Sequence, residues 1–268
     1  MDSAERDTAP RVRSPLDAAR GIVDGWRRRR LGRRGLAGSA CSQEMHAEAR
    51  IRMPLVDDRG LWLERLCAET APGEVAHIGC TDSPYTEERL AAEVLLHQRL
   101  VRVATVTGFD VDADALQLLR SALPRERFVM ADVTAGVPET ERGRYELVVA
   151  GEVLEHVPDA DAFLRGCREL LCPGGRLCVT VPNACSPKIG LRSLAGREVI
   201  HPDHRTYYGP RTLERTLRGA GFEPESIASC LAPAGTSMGL VYHGVARAAH
   251  RVFQGPVGEG LIAVAIAR

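Results

Sequence analysis

The chain has 268 residues, enough for one large α/β domain or a domain with an extension, and its 44% hydrophobic content can fill a sizeable core. Lysine plus arginine and aspartate plus glutamate number 35 each, so the net charge is zero and no global field draws the chain toward nucleic acid or an anionic membrane. No apolar stretch reaches the roughly eighteen residues of a membrane span, no signal-peptide core is visible and the eight cysteines form no C-x-x-C pair, which together set the expectation of a cytoplasmic protein with reduced thiols.

Residues 1–53 read as an Arg-rich, disordered tail without apolar periodicity, and Trp26-Arg27-Arg28-Arg29-Arg30 is its densest basic run. Such a run is a solvated tail, sequence upstream of a true start at Met45 or Met53, or an electrostatic arm for nucleic acid or anionic lipid. Residues 54–268 read as the folded domain. From Val56 to Thr70, Leu61, Leu63, Leu66 and Cys67 recur near helical spacing. Val75-Ala76-His77-Ile78 follows, too brief for a helix, and breaks at Gly79-Cys80-Thr81 into the polar Asp82-Ser83. A glycine at the end of the first strand of a doubly wound sheet marks the binding crevice, because parallel sheets bind ligands outside the carboxyl ends of their strands. A long helix is expected over Glu87 to Val103, starting at Thr86, with His97 as a packed or surface residue inside it.

A second strand, Ala104 to Phe109, is closed by Asp110-Val111, and an acid in that place accepts two hydrogen bonds from a ribose diol. After a helix over Asp112 to Leu123, a third strand ends at Asp132. Its carboxylate there could accept from an adenine amine while Val133 packs on the ring, or it could simply cap a loop. The fourth strand, Tyr145 to Ala150, runs into Gly151-Glu152-Val153-Leu154-Glu155-His156, and a helix from Pro158 to Leu171 leads to a fifth strand ending near Asn183. Asn183 to Pro210 then shows no sustained period, and contains Lys188, His201, Asp203, His204 and Tyr207. A long loop leaving the carboxyl end of a strand is usually functional. It reads as acceptor lining with His201 or His204 as base, or as a structural loop; the spacing H-x-D-H is a weak metal signal and no metal site is expected. Pro210 to Gly219 forms a helix, Phe222 to Ser229 a strand, Met238 to Phe253 an amphipathic helix over the acceptor side, and Leu261 to Ala267 the last strand.

The ordered set of the Gly79-Cys80 turn, Gly108-x-Asp110, Ala131-Asp132, Glu152-Val-Leu-Glu155-His156-Val, the Leu-x-Pro-Gly-Gly-x-Leu turn at 171–177 and Ala220-Gly221-Phe222 resembles the class I S-adenosylmethionine (SAM) dependent methyltransferases, and within them the ubiquinone-biosynthesis O-methyltransferase branch. One departure stands out: His77 replaces the usual acid, and Asp82-Ser83 follow where glycine would stand. The resemblance implies a Rossmann-like, seven-stranded, mostly parallel sheet with helices on both faces and an antiparallel last strand. It implies SAM held by Gly79, Cys80, Thr81, Asp110, Val111, Asp132, Val133 and Glu152, with Glu155 and His156 near the transferred methyl group. Methyl transfer is an in-line displacement that needs alignment and optional proton removal, so His204, His201 and His156 are the candidate bases. The expected activity is O-methylation of a hydroxylated small molecule, a sugar or a secondary metabolite. The expected partner is that acceptor, without nucleic acid or membrane, and homodimerisation is left open. A SAM-binding regulatory protein and an RNA methyltransferase using the arginine tail are the alternatives. A dehydrogenase would need a glycine-rich pyrophosphate turn, which Cys80-Thr81-Asp82-Ser83 does not provide.

Overall fold

The apolar runs of the sequence become strands of a single sheet in the computed structural model, which describes residues 51–198, 201–232 and 237–268. The strands are β1 (Leu55–Val56), β2 (Glu74–Ile78), β3 (Thr105–Asp110), β4 (Arg127–Met130), β5 (Tyr145–Gly151), β6 (Leu171–Pro182), β7 (Phe222–Cys230) and β8 (Gly260–Ala267). They lie in the order β1-β7-β8-β6-β5-β2-β3-β4, and only β8 is antiparallel to its neighbours. The order reverses between β2 and β5. The carboxyl ends of these two strands therefore frame the crevice where a doubly wound sheet binds its ligand.

The central strands read as continuous apolar runs because helices cover both faces. On β5, Val148 and Ala150 enter one core cluster with Phe109, Phe163 and Leu213, while Leu147 and Val149 enter the other with Leu63, Val75, Leu100 and Ile262. The helices are α1 (Arg59–Ala68), α2 (Thr86–Ala91), α3 (Leu96–Leu100), α4 (Ala113–Ala122), α5 (Ala160–Leu170), α6 (Pro187–Leu194), α7 (Pro210–Gly219) and α8 (Ser237–Phe253). Three begin with an aspartate whose carboxylate accepts from a first-turn amide: Asp58 from Leu61, Asp112 from Ala115 and Asp159 from Ala162.

Several expectations are corrected. The sheet has eight strands, the extra one being β1, a two-residue strand parallel to β7 and too short to leave a period in the sequence. The helix expected over Glu87 to Val103 is two helices. Glu93 takes a left-handed φ of 57°, Val94 N–H bonds Arg89 C=O and Glu93 N–H bonds Leu90 C=O, which is a Schellman closure with glutamate in the place usually held by glycine. The first of them begins at Thr86, as expected, with Thr86 as its first helical residue rather than its cap. The aperiodic stretch after β6 contains α6, which buries none of its side chains and so shows no apolar period. Met53 is buried and its N–H bonds Gln254 C=O, which ties the entry of the chain to the end of α8. Residues 1–50 lie outside the described residues. No helix among the described residues is long and apolar enough to cross a membrane.

Candidate functional site

The turn after β2 is fixed by glycine chemistry. Gly79 has a φ of 74°, and a Cβ built on it would lie 2.5 Å from Val153 Cγ2, so conformation and space both exclude a side chain. Gly79 and Cys80 donate their N–H groups to Phe109 C=O at 2.9 and 3.3 Å. The Cys80 thiol packs with Leu95, Leu116 and Leu119 in the core, so it is not presented to the crevice. Thr81 donates its N–H at 3.0 Å and its hydroxyl at 2.7 Å to Asp110 Oδ2, while Oδ1 of Asp110 accepts from Val111 N–H at 2.8 Å and Asp112 N–H at 3.1 Å. The ends of β2 and β3 are thereby joined through one carboxylate. Behind the turn, buried His77 and His97 stack with Nδ1 atoms 3.2 Å apart, and burial pushes the pKa of His97 down to about 4.

The next strand end is less as expected. Asp132 is exposed and its Oδ1 accepts from the Thr134 hydroxyl and N–H, which holds its pKa below the usual carboxylate value and makes it the cap of a turn. Val133 is buried, and α5 presses on it so closely that a Cβ on Gly166 would meet Val133 C=O at 2.1 Å. The ring contact expected of Val133 is corrected accordingly: its side chain belongs to the core. The exposed apolar side chains here are Val111 and Met130, 65% and 61% accessible, with Met130 directly across the register from Asp110.

On the other side of the crevice, Glu152 ends β5 with a left-handed φ of 55°, held by its N–H to Thr180 C=O at 2.9 Å. Its Oε1 accepts from the Thr180 hydroxyl at 3.1 Å and pairs with Arg59 at 2.6 Å. Arg59 is a site residue that the sequence reading missed. Its sequence signal is weak but physical: an arginine opening α1 opposes the helix dipole, so something outside the helix must hold it there.

Glu155 is only 1% exposed, and neither carboxylate oxygen has a hydrogen-bond partner. Burial, then repulsion from Glu152, pushes its pKa up to about 8. Its C=O accepts from Arg205 and Thr206 N–H at 2.8 and 3.3 Å, and this anchors the distant 201–206 segment against the end of β5. As a result His156, His201 and His204 meet, with ring centroids 4.6 to 5.8 Å apart and one nitrogen of each within 4.8 Å of the others. His204 Nε2 lies 4.0 Å from Glu155 Oε1, and burial followed by its two histidine neighbours lowers its pKa. Asp203 of the H-x-D-H spacing is exposed and outside this cluster; His156, forty-five positions upstream of His201, takes its place.

Residues 62–227 match the methyltransferase domain family. The chain is 28% identical over 199 residues to the ubiquinone biosynthesis O-methyltransferase of Xanthomonas euvesicatoria pv. vesicatoria, covering 70% of this chain and 74% of that protein. It is 28% identical over 178 residues to the protein of the same name from Bordetella avium, covering 62% of this chain and 68% of the relative. A solved structure from Bacillus halodurans C-125, provisionally assigned to the methyltransferases, superposes with a TM-score of 0.52 at 15% identity, over 78% of this chain and 98% of that one, which is a likeness of fold.

Proposed function

Since the chain belongs to the methyltransferase domain family and is a SAM-dependent enzyme, we propose that it methylates a hydroxyl oxygen of a small-molecule acceptor, a sugar or a secondary metabolite. When bound, SAM supplies a methyl group made electrophilic by its sulfonium. The crevice fits this donor by its own chemistry. Arg59 is a cation suited to the methionine carboxylate, Asp110 an acceptor pair suited to the ribose hydroxyls, and Val111 and Met130 are exposed apolar walls suited to the adenine ring. The ribose would replace the Thr81 hydroxyl as the donor to Asp110 Oδ2.

The observation that carries the choice of oxygen is the cluster of His156, which follows β5, with His201 and His204, which follow β6. A hydroxyl is a poor nucleophile until its proton leaves, and three neighbouring imidazoles just beyond the end of β5 would meet that need for an acceptor bound beside them. His204 is the favoured base, because its ring stands nearest buried Glu155 and its depressed pKa keeps it neutral and able to accept at neutral pH. The name O-methyltransferase carried by the relatives supports the same choice. The test is transfer of labelled methyl from SAM to matched acceptors that differ only in bearing a hydroxyl or an amine, ubiquinone precursors among them. Label on the hydroxyl members is expected; label confined to amine or carbon acceptors overturns the reading.

A further inference from the structure

Helix α8 is held to the domain by one face and shows the other to solvent. Inward, Tyr242 Oη donates to Val257 C=O at 2.8 Å and lies 3.1 Å from Ser186 Oγ at the start of α6. Buried His243 stands with Nε2 3.5 Å from Glu259 Oε2, and Ala246 packs with Leu231 and Val257. Outward, Leu240, Val241 and Val245 are 61–63% exposed and Val252 is 70% exposed, with exposed Gly244 and Ala248 between them. The outer face of a surface helix is ordinarily polar. Here Val241, Val245, Ala248 and Val252 succeed one another at spacings of four, three and four, the seam by which one helix packs into another. Gly244 points the same way. A glycine inside a helix weakens it relative to alanine, and a Cβ at Gly244 would meet nothing within 4 Å among the described residues, so packing within the chain does not require it.

We propose that this face docks a second copy of the chain, the two α8 helices packing antiparallel about a two-fold axis between Ala246 and Arg247. That axis sets Val241 against Val252 and Val245 against Ala248, so the seam is complementary to itself, as an interface between identical surfaces requires. Charge decides the direction. α8 carries Arg247 and Arg251 and no acid, and Arg251 flanks the seam. A parallel pair would set Arg251 beside its own copy, whereas the antiparallel pair sets it across from Tyr242 and Gly244 of the other copy and opposes the two helix dipoles. Gly244 then leaves room for the apolar stem of that arginine. The area is sufficient. A fully exposed Val, Leu or Phe side chain offers roughly 60–120 Å² of apolar surface, from its transfer free energy. The stripe, with Phe253 at the end of α8 and Leu191 and Leu194 on neighbouring α6, holds seven such side chains at 60–87% exposure, or about 300–550 Å² per copy. A standard interface buries about 800 Å² per partner, some 65% of it apolar in homodimers, which is about 500 Å².

The experiment is sedimentation equilibrium of the full-length protein over about 1–100 μM, where interfaces of this size associate. Twice the chain mass is expected at the upper end. Val245→Glu/Ala248→Glu places carboxylates on both sides of the axis and should raise Kd at least about a hundredfold. Gly244→Leu serves where that pair fails to fold. Leucine favours helix over glycine, so the melting temperature of the dilute protein should hold or rise, while the bulk set between the helices raises Kd at least about tenfold. Chain mass at every concentration overturns the proposal, and so does a dimer whose Kd either folded variant leaves unchanged. Wild type that stays monomeric and sediments with phosphatidylglycerol vesicles gives the face to a bilayer and overturns it too. Disulfide capture reads the direction, with Cys41→Ser and Cys185→Ser as background. Val241→Cys protein should link to Val252→Cys protein and hardly to itself; self-linking of each variant overturns the antiparallel pairing.

Discussion

The contact between Gly79 and Val153 gives a prediction whose magnitude can be worked from the structure. In Gly79→Ala the new methyl must accept a φ of 74°, which costs an L-residue about 1–2 kcal/mol. It must also stand 2.5 Å from Val153 Cγ2, an overlap of the kind that costs about 1–3 kcal/mol when a packed site is overfilled. The sum, about 2–5 kcal/mol, is a large part of the 5–15 kcal/mol that holds a typical domain together. The two parts are separable. Val153→Ala removes the offending methyl and leaves the backbone term, at its own cost of about 1–2 kcal/mol of lost apolar burial. Urea unfolding of wild type, both single variants and the double variant, with m-values held equal, closes the cycle. The double variant should be more stable than the sum of the singles implies by about 1–3 kcal/mol. Additivity within about 0.5 kcal/mol would show that Val153 is not what reserves position 79 for glycine.

Asp110→Ala should weaken SAM binding by about 2–4 kcal/mol, the worth of two hydrogen bonds to a charged acceptor, and calorimetry showing unchanged affinity in a folded variant would remove Asp110 from the ribose site. The His77–His97 pair is held neutral by burial, with His97 at about 4 against an ordinary value of 6.5. The unfolded chain therefore takes up protons that the folded chain refuses, so stability is full above pH 6.5 and falls as pH drops from 6.5 toward 4. Unfolding free energies measured at pH 7, 6 and 5 should decline, and the decline should be shallower in His97→Met but not abolished, because burial still depresses His77; a level profile in wild type refutes this. Glu141 is buried, accepts from Tyr145 Oη at 2.5 Å and from both terminal nitrogens of Arg127, and is held down to about 2 mainly by Arg127. Its contribution is complete above about pH 4.5 and lost as pH falls from there toward 2, and Glu141→Ala should cost about 2–4 kcal/mol by urea unfolding at pH 7, below the full buried-pair figure because Arg127 is partly exposed.

Much of the fold was legible because central strands buried on both faces must be apolar throughout; β2, β5 and β8 leave no other reading of their sequences. What escaped has specific causes. β1 is shorter than any period. The break at Glu93 uses a residue with no special liking for a left-handed φ, so the helical pattern runs on through it. α6 exposes Leu191 and Leu194 and buries nothing, which leaves helical periodicity without meaning there. For the site, the glycine turn and the strand-end acids were readable because their chemistry is local: Gly79, Thr81 and Asp110 meet through adjacent strand ends. Val133 was misread because sequence does not say which face of a short post-strand segment meets a helix. Arg59 and Glu152 are ninety-three positions apart, and His156 and His201 forty-five, so these pairings are properties of the folded chain alone.

Residues 152–156 explain why one short segment serves both halves of the crevice. Glu152 turns left-handed as β5 ends, which throws Val153 back against Gly79 and sends the chain across the top of the sheet rather than into a helix. The same turn sets the Glu152 carboxylate against Arg59 and Thr180. Three residues on, Glu155 C=O receives the 201–206 segment, and His156 meets the two histidines that this segment delivers. Glu152 and His156, which the proposed function assigns to the donor and acceptor sides, are thus separated by four peptide bonds of a segment that is hydrogen-bonded at both ends. Methyl transfer depends on alignment, so on the assignment proposed above this hydrogen-bonded segment would fix the distance between the bound cofactor and the histidine cluster.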